Sequence, residues 1–213
     1  GPNLVLAAIA SGIELETVFA LVGDPVAESV SDPTFVSPEV LERLAPTQHP
    51  RGPVAVMAIP PTSAVSRSCL FLWGIGDPGN VGTLIRSASA FGMDVAVDST
   101  SSDPWSPKAL RAAAGAHFRT TIEMGATLIS LRSRGFTAVA AVPRTGSDPA
   151  GLGDLSPVAI IVGSEARGLP TSVVNGADQL VTIPMPGGME SLNAGIAGAI
   201  LAYEWSRHGI APR

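Results

Sequence analysis

Residues Val181 to Trp205, VTIPMPGGMESLNAGIAGAILAYEW, bring three kinds of local structure into one short span. A β-type run ends at Ile183, because Pro184 cannot donate to a strand ladder, and Pro186, Gly187 and Gly188 mark a loop. A helix rich in Ala and Gly is expected to begin near Ser191. Its first turn would then be polar, with Ser191, Asn193 and free backbone N–H groups placed to meet a ligand and Glu190 beside them. Ala194, Gly195, Ala197, Gly198 and Ala199 leave so little bulk that another backbone, helix or ligand is expected against this helix. The plain alternative is an ordinary strand, loop and capped helix.

Working back along the chain, strands and helices alternate from Ser68 onward. Strands are expected at Cys69 to Trp73, Val95 to Val97, Ala138 to Val142 and Ala159 to Val162. Helices are expected at Val81 to Phe91, Pro107 to Ala114 and Ala126 to Arg134. Apolar β runs separated by helices imply an α/β domain, with a parallel sheet covered by helices on both faces. Ahead of it, helices are expected at Asn3 to Ser11 and at Pro38 to Leu44, started by Ser37. Strands are expected at Thr17 to Val22 and Val54 to Ile59. Pro60-Pro61-Thr62-Ser63 reads as linker, so the expected division is 1–60, a linker at 61–67, and 68–213.

The chain has 213 residues, 46% hydrophobic and 15% charged, enough for a real core in one large or two modest domains. No apolar run approaches the roughly 20 residues of a membrane span, and the basic start of a signal peptide is missing. The single Cys69 cannot form an internal disulfide, so a soluble protein in a reducing, cytoplasmic setting is expected. A net charge of −5 argues against a protein that coats nucleic acid without specificity, but not against a local basic patch. Lys108 is the only Lys among thirteen basic residues, so phosphate contacts would be mostly the planar, bidentate contacts of Arg.

Gly74-Ile75-Gly76-Asp77-Pro78-Gly79 fits the dinucleotide fingerprint G-x-G-x-x-G, with Asp94 at the distance expected of a ribose-binding acid. An NAD- or flavin-dependent oxidoreductase is therefore a rival. Pro78 counts against it by removing a donor where a pyrophosphate is cradled, and so does a helix that is expected to start only after Gly79.

Four stretches, in order, carry a resemblance to a known family. Asn80-Val81-Gly82 is followed by Arg86 and Ala90-Phe91-Gly92. Asp103-Pro104-Trp105-Ser106-Pro107-Lys108 leads to Arg111 and Gly115-Ala116. Gly163-Ser164-Glu165-Ala166-Arg167-Gly168-Leu169 follows an apolar strand, and Ser191-Leu192-Asn193 follows Ile183-Pro184-Met185. Together they resemble the motifs of the SPOUT superfamily, specifically its SpoU-type (TrmH-like) RNA ribose 2′-O-methyltransferases. Thr47 to Gly52 is similar to the end of the small ribosomal-protein-like domain attached to many of these enzymes.

The resemblance implies a C-terminal trefoil knot, a homodimer, and an N-terminal RNA substrate-binding domain truncated at its start. It implies S-adenosyl-L-methionine as cofactor, held by loops that here supply Thr145, Gly163, Ile183, Met185 and Leu192, with Ala197 packed nearby; no metal is expected. Arg86 is the implied catalytic arginine. A guanidinium keeps its proton, so orienting a phosphate and stabilising an alkoxide suit it better than accepting a proton. Asn80 is expected to hold Arg86 or its loop, or to cap the helix. Glu165 is expected to fix Arg86, and Ser191 and Asn193 to position Arg86 or the ribose. Lys108, Arg111, Arg119, Arg144 and Arg167 are expected at RNA, ribosomal rather than transfer. The alternatives are a transfer-RNA enzyme, or an RNA-binding or assembly factor that has lost turnover. Ala113, and Ala194-Gly195 after Asn193, depart from the family's usual residues without removing a catalytic group. Neither His49, His117 nor His208 has a hydrolase context.

Overall fold

Cys69-Leu70-Phe71-Leu72 is a continuous apolar run, and in the computed structural model all four side chains are fully buried, as a strand covered on both faces requires. The model describes residues 1–46, 50 and 52–207. The chain divides into two compact units, Gly1–Pro61 and Thr62–Arg213. His49, His208 and most of the Thr47 to Gly52 stretch lie outside the described residues.

The first unit holds helices α1 (Pro2–Ala10) and α2 (Pro38–Leu44) and strands β1 (Thr17–Ala20), β2 (Thr34–Phe35) and β3 (Val54–Val56). β1 is central, parallel to β2 and antiparallel to β3. Both expected strands are shorter than the apolar runs that suggested them, and two-residue β2 gave no signal. Ser37 occupies the N-cap of α2, but its hydroxyl donates to Glu39 at 2.6 Å and makes no side-chain capping bond.

The second unit is a six-stranded, all-parallel sheet in the order β6-β5-β4-β8-β7-β9. The strands are β4 (Cys69–Trp73), β5 (Asp94–Val97), β6 (Ile122–Met124), β7 (Thr137–Ala141), β8 (Val158–Gly163) and β9 (Gln179–Val181). Helices α3 (Pro78–Ala90), α4 (Pro107–Ala113), α5 (Leu128–Ser133), α6 (Thr171–Gly176) and α7 (Ala194–Ser206) connect and cover them. One core cluster includes Leu70, Leu84, Ile160 and Leu201; the other includes Phe71, Leu131, Ile161 and Val173. Two sides of one sheet are thus each buried under their own helices. No helix among the described residues is long and apolar enough to cross a membrane.

Three expectations change. Thr62 to Arg67 is not a free linker: Val65 is buried, its N–H donates to Glu123 at 2.8 Å, and the Thr62 hydroxyl accepts from Met124 N–H at 2.9 Å at the sheet edge. Helix α3 starts at Pro78, earlier than expected, because Asp77 caps it by accepting from Gly79 N–H at 2.9 Å. Helix α7 starts at Ala194, later than expected, because Asn193 is its cap and accepts from Ile196 N–H at 3.2 Å.

The candidate active site

In an open parallel sheet, ligands bind outside the carboxyl ends of the strands, where the order of connection changes direction. The chain moves outward from β4 through β5 to β6, then returns on the other side of β4, with β8 inserted between β4 and β7. A cavity of about 500 Å³ lies there, lined by residues that end or follow β7, β8 and β9 and by the start of α7. Its walls are largely aliphatic: Val142, Val162, Leu169, Val174, Ile183 and Leu192. Gly163, Ile183, Met185, Leu192 and Ala197 all line it, as does Ser191. Thr145 is not among the lining residues; it sits exposed in the loop after β7 at φ 67°, its hydroxyl donating to its neighbour's carbonyl.

Close backbone approach explains the glycine that ends β8. A Cβ on Gly163 would stand 2.6 Å from the carbonyl carbon of Gly168 and 2.7 Å from the nitrogen of Leu169, so the loop could fold back only over glycine. The small residues of α7 have two neighbours. Ala194 and Ala197 face the cavity, whereas Gly198 lets the helix settle onto Leu84 of α3, whose side chain a Cβ would overlap at 2.1 Å.

The resemblance motifs meet through side chains. The Asn80 amide donates to Glu165 at 2.5 Å, and its carbonyl oxygen accepts from the Asn193 amide at 3.1 Å. One hydrogen-bond chain therefore ties the start of α3, the loop after β8 and the cap of α7. Arg86 is outside it: exposed on α3, it makes no hydrogen bond or ion pair among the described residues, and Glu165 is engaged by Asn80 instead. Six residues of helix turn Arg86 about 120° away from Asn80, which is why the expected Glu165–Arg86 contact is not formed.

Neighbouring groups fix these loops through bonds that the sequence did not show. Asp77 accepts from Lys108 at 2.5 Å, joining the starts of α3 and α4; that bond and the one from Gly79 N–H hold its carboxyl below the ordinary range. Asp98 after β5 is almost buried, which alone would raise its pKa. Bonds from Gly74 N–H, Ser101 and Thr100 outweigh this and hold the carboxyl below its usual value. His117 is 4% exposed, packs on Trp105 and donates through Nε2 to the Pro104 carbonyl at 2.7 Å, while burial holds its pKa below the ordinary value. Of the residues expected at RNA, Lys108 is therefore held by Asp77. Arg111, Arg119, Arg144 and Arg167 are exposed, and Arg167 alone lines the cavity. Burial pushes the Cys69 thiol upward, consistent with a core residue.

The dinucleotide reading fails on geometry. Gly74 N–H donates to Asp98, Ile75 N–H to Ser101 and Gly79 N–H to Asp77, so the donors a pyrophosphate would need are already occupied. Gly79 does lie inside the helix, so that part of the case against the fingerprint was wrong. Asp94 stands at the amino end of β5, at the opposite end of the sheet from these loops, fully buried and paired with Arg67.

The SpoU rRNA methylase family model matches residues 67–203, most of the second unit. The chain belongs to this family. An uncharacterized tRNA/rRNA methyltransferase of Synechocystis is 34% identical over 184 residues, 81% of this chain and 66% of the relative. The 23S rRNA (guanosine(2553)-2′-O)-methyltransferase of Bacillus subtilis is 30% identical, covering 79% of this chain and 70% of that enzyme. An AdoMet-bound rRNA methyltransferase from Sinorhizobium meliloti superposes with a TM-score of 0.82 at 27% identity, covering 99% of this chain and 87% of that one. Membership in the SpoU family leaves no place for the oxidoreductase alternative.

Proposed function

We propose that the chain transfers a methyl group from S-adenosylmethionine to a ribose 2′-hydroxyl of structured RNA, with 23S ribosomal RNA as the substrate. The observation that carries this reading is the hydrogen-bond chain Glu165–Asn80–Asn193 beside an apolar cavity, which unites three of the four motifs on which the family resemblance rests. The Bacillus relative, named for 2′-O-methylation of 23S rRNA, favours the ribosomal substrate.

The cavity suits the cofactor. Aliphatic walls fit an adenosine, and the close fold-back at Gly163 leaves backbone groups free to read a base edge. When bound, S-adenosylmethionine supplies a methyl group on a positively charged sulfonium. Arg86 orients the RNA phosphate and stabilises charge developing on the ribose oxygen, because a guanidinium keeps its proton and cannot serve as base, and the hydroxyl proton passes to solvent as the O–CH3 bond forms and the C–S bond breaks. Asn80, Glu165 and Asn193 keep the loops in register, and Ser191 positions the ribose from the cavity wall. Arg111, Arg119 and Arg144 meet RNA phosphates, with Lys108 beside them. The N-terminal unit presents the substrate as a ribosomal-protein-like RNA-binding domain.

A homodimer and a trefoil knot complete the reading. Ile196 and Tyr203, seven residues apart on α7, are both half-exposed, an apolar pair suited to a second copy. For the knot, support lies in α7 packing against both α3 and the 3₁₀ turn Pro149–Asp154. Mechanical unfolding that leaves a shortened extended chain would test it.

The decisive experiment offers 23S ribosomal RNA fragments and transfer RNA to the purified protein with labelled cofactor, and maps ribose methylation in cells with and without the gene. Label on ribose 2′-oxygens of 23S RNA is expected. Label on transfer RNA alone would overturn the substrate, and bound cofactor with no transfer to either RNA would indicate a binding or assembly factor.

A further inference from the structure

Among the residues that line the cavity, only two carry ionisable side chains, Glu165 and Arg167, two positions apart on the loop after β8. All the other lining residues are apolar, glycine or serine. Glu165 already has a partner, since one of its oxygens accepts from Asn80 at 2.5 Å. Arg167 does not: its backbone N–H donates to Ser164 Oγ at 3.3 Å, but its guanidinium makes no hydrogen bond or ion pair among the described residues. The loop itself is shaped. Ser164 and Gly168 form a β-bridge, and Gly168 takes φ 62°, so the tip that carries Glu165 and Arg167 is held by a tight hairpin.

The chemistry of the proposed ligand accounts for this pair. The cofactor has an apolar, flat end and an amino-acid end that is a zwitterion with one carboxylate and one ammonium. A cavity with aliphatic walls and one lip bearing a single cation and a single anion matches that division. We propose that Arg167 is a cofactor-binding residue, whose guanidinium takes the carboxylate of the amino-acid end of S-adenosylmethionine rather than an RNA phosphate. A planar guanidinium suits the task, because it meets a carboxylate through two parallel hydrogen bonds. The free oxygen of Glu165 gives the ammonium a counter-charge. This inference rests on the S-adenosylmethionine reading.

Calorimetry with two product-like probes separates the possibilities. S-adenosylhomocysteine carries the amino-acid end, and 5′-methylthioadenosine shares the adenosine and thioether but lacks it. Wild-type protein is expected to bind both. Arg167→Ala should weaken S-adenosylhomocysteine on the order of tenfold and leave methylthioadenosine unchanged, and Arg167→Lys should recover part of the loss, as a point charge lacking the fork. Equal loss for both probes would overturn the proposal in favour of a purely structural loop residue. No loss for either, with weaker RNA binding, would overturn it in favour of a phosphate contact. Failure of the wild-type protein to bind either probe would instead sink the cofactor reading itself.

Discussion

The two ends of the second unit's sheet differ in how completely their charges are matched. At the amino ends, Asp94 is paired with Arg67 and accepts from the backbone N–H groups of Ser66 and Arg67. Nearby, Glu123 receives two bonds from Arg134, each 2.9 Å, while Arg134 also reaches the Val65 carbonyl and lies over Phe136. Arg132 is likewise paired, with Asp178 at 2.7 Å. At the carboxyl ends Asp77 is paired with Lys108, but Glu165 keeps one oxygen free of Asn80 and Arg167 makes no ion pair among the described residues, nor does Arg86 on α3. Charge that is fully matched within the protein contributes to stability, and charge left unmatched is available to a ligand.

Variants can break this contrast. The largest effect is expected at Arg86: Arg86→Ala should lower methyl transfer by roughly 10²–10³-fold while S-adenosylhomocysteine affinity, measured by calorimetry, stays within a few-fold. Full activity would remove Arg86 from the site. Gly163→Ala comes next, because its Cβ would meet backbone atoms that cannot shift without the loop; a cost of about 1–3 kcal/mol and weaker cofactor binding should appear together. Stability loss without any change in affinity would show that the fold-back does not shape the pocket.

Asp94→Ala probes the opposite end. It strips the partner from two backbone donors and Arg67, at about 1–3 kcal/mol, so thermal denaturation should shift downward by several degrees. Transfer rate per folded molecule should not change, and a drop in that rate would dissolve the distinction between the ends. The smallest effect concerns His117. Its pKa is lowered on folding by burial, so the folded state binds a proton less readily than the unfolded one. Stability is then fully present above the ordinary imidazole value of about 6.5 and falls as pH drops below it. His117→Gln should flatten that part of a denaturant-midpoint-against-pH curve, and an unchanged curve would place the sensitivity elsewhere.

What the sequence showed depended on how much of each signal was local. β4 was legible to the residue because four fully buried apolar side chains stand between Ser68 and Gly74. Strands of three residues such as β6 do not carry a period, and α6, whose sequence ends in Asn-Gly, is a poor helix former that forms behind Pro170 with Val173 buried. At the site, Asn80, Glu165 and Asn193 were readable as site residues because their motifs were recognisable, with Arg86 as the expected partner. The wiring among them was not. Which of Asn80 and Arg86 faces Glu165 depends on the rotation of α3, and that rotation is set by its start at Asp77 and by the seating of α7 on Leu84. Asp98 was passed over because its bonds to Thr100 and Ser101 have the spacing of an ordinary turn, and its bond to Gly74 N–H reaches a loop two dozen residues earlier.

One feature of the sheet reaches beyond catalysis. Thr62 plugs the outer side of β6, and on β9 Ser147 N–H donates to the Leu180 carbonyl while Thr182 N–H donates back to Ser147. Both margins of the parallel sheet thus end in residues that are not themselves strands. A growing stack of neighbouring chains has no ladder to extend, so concentrated preparations should resist fibril formation, and loosening either plug is the simplest route to losing that resistance.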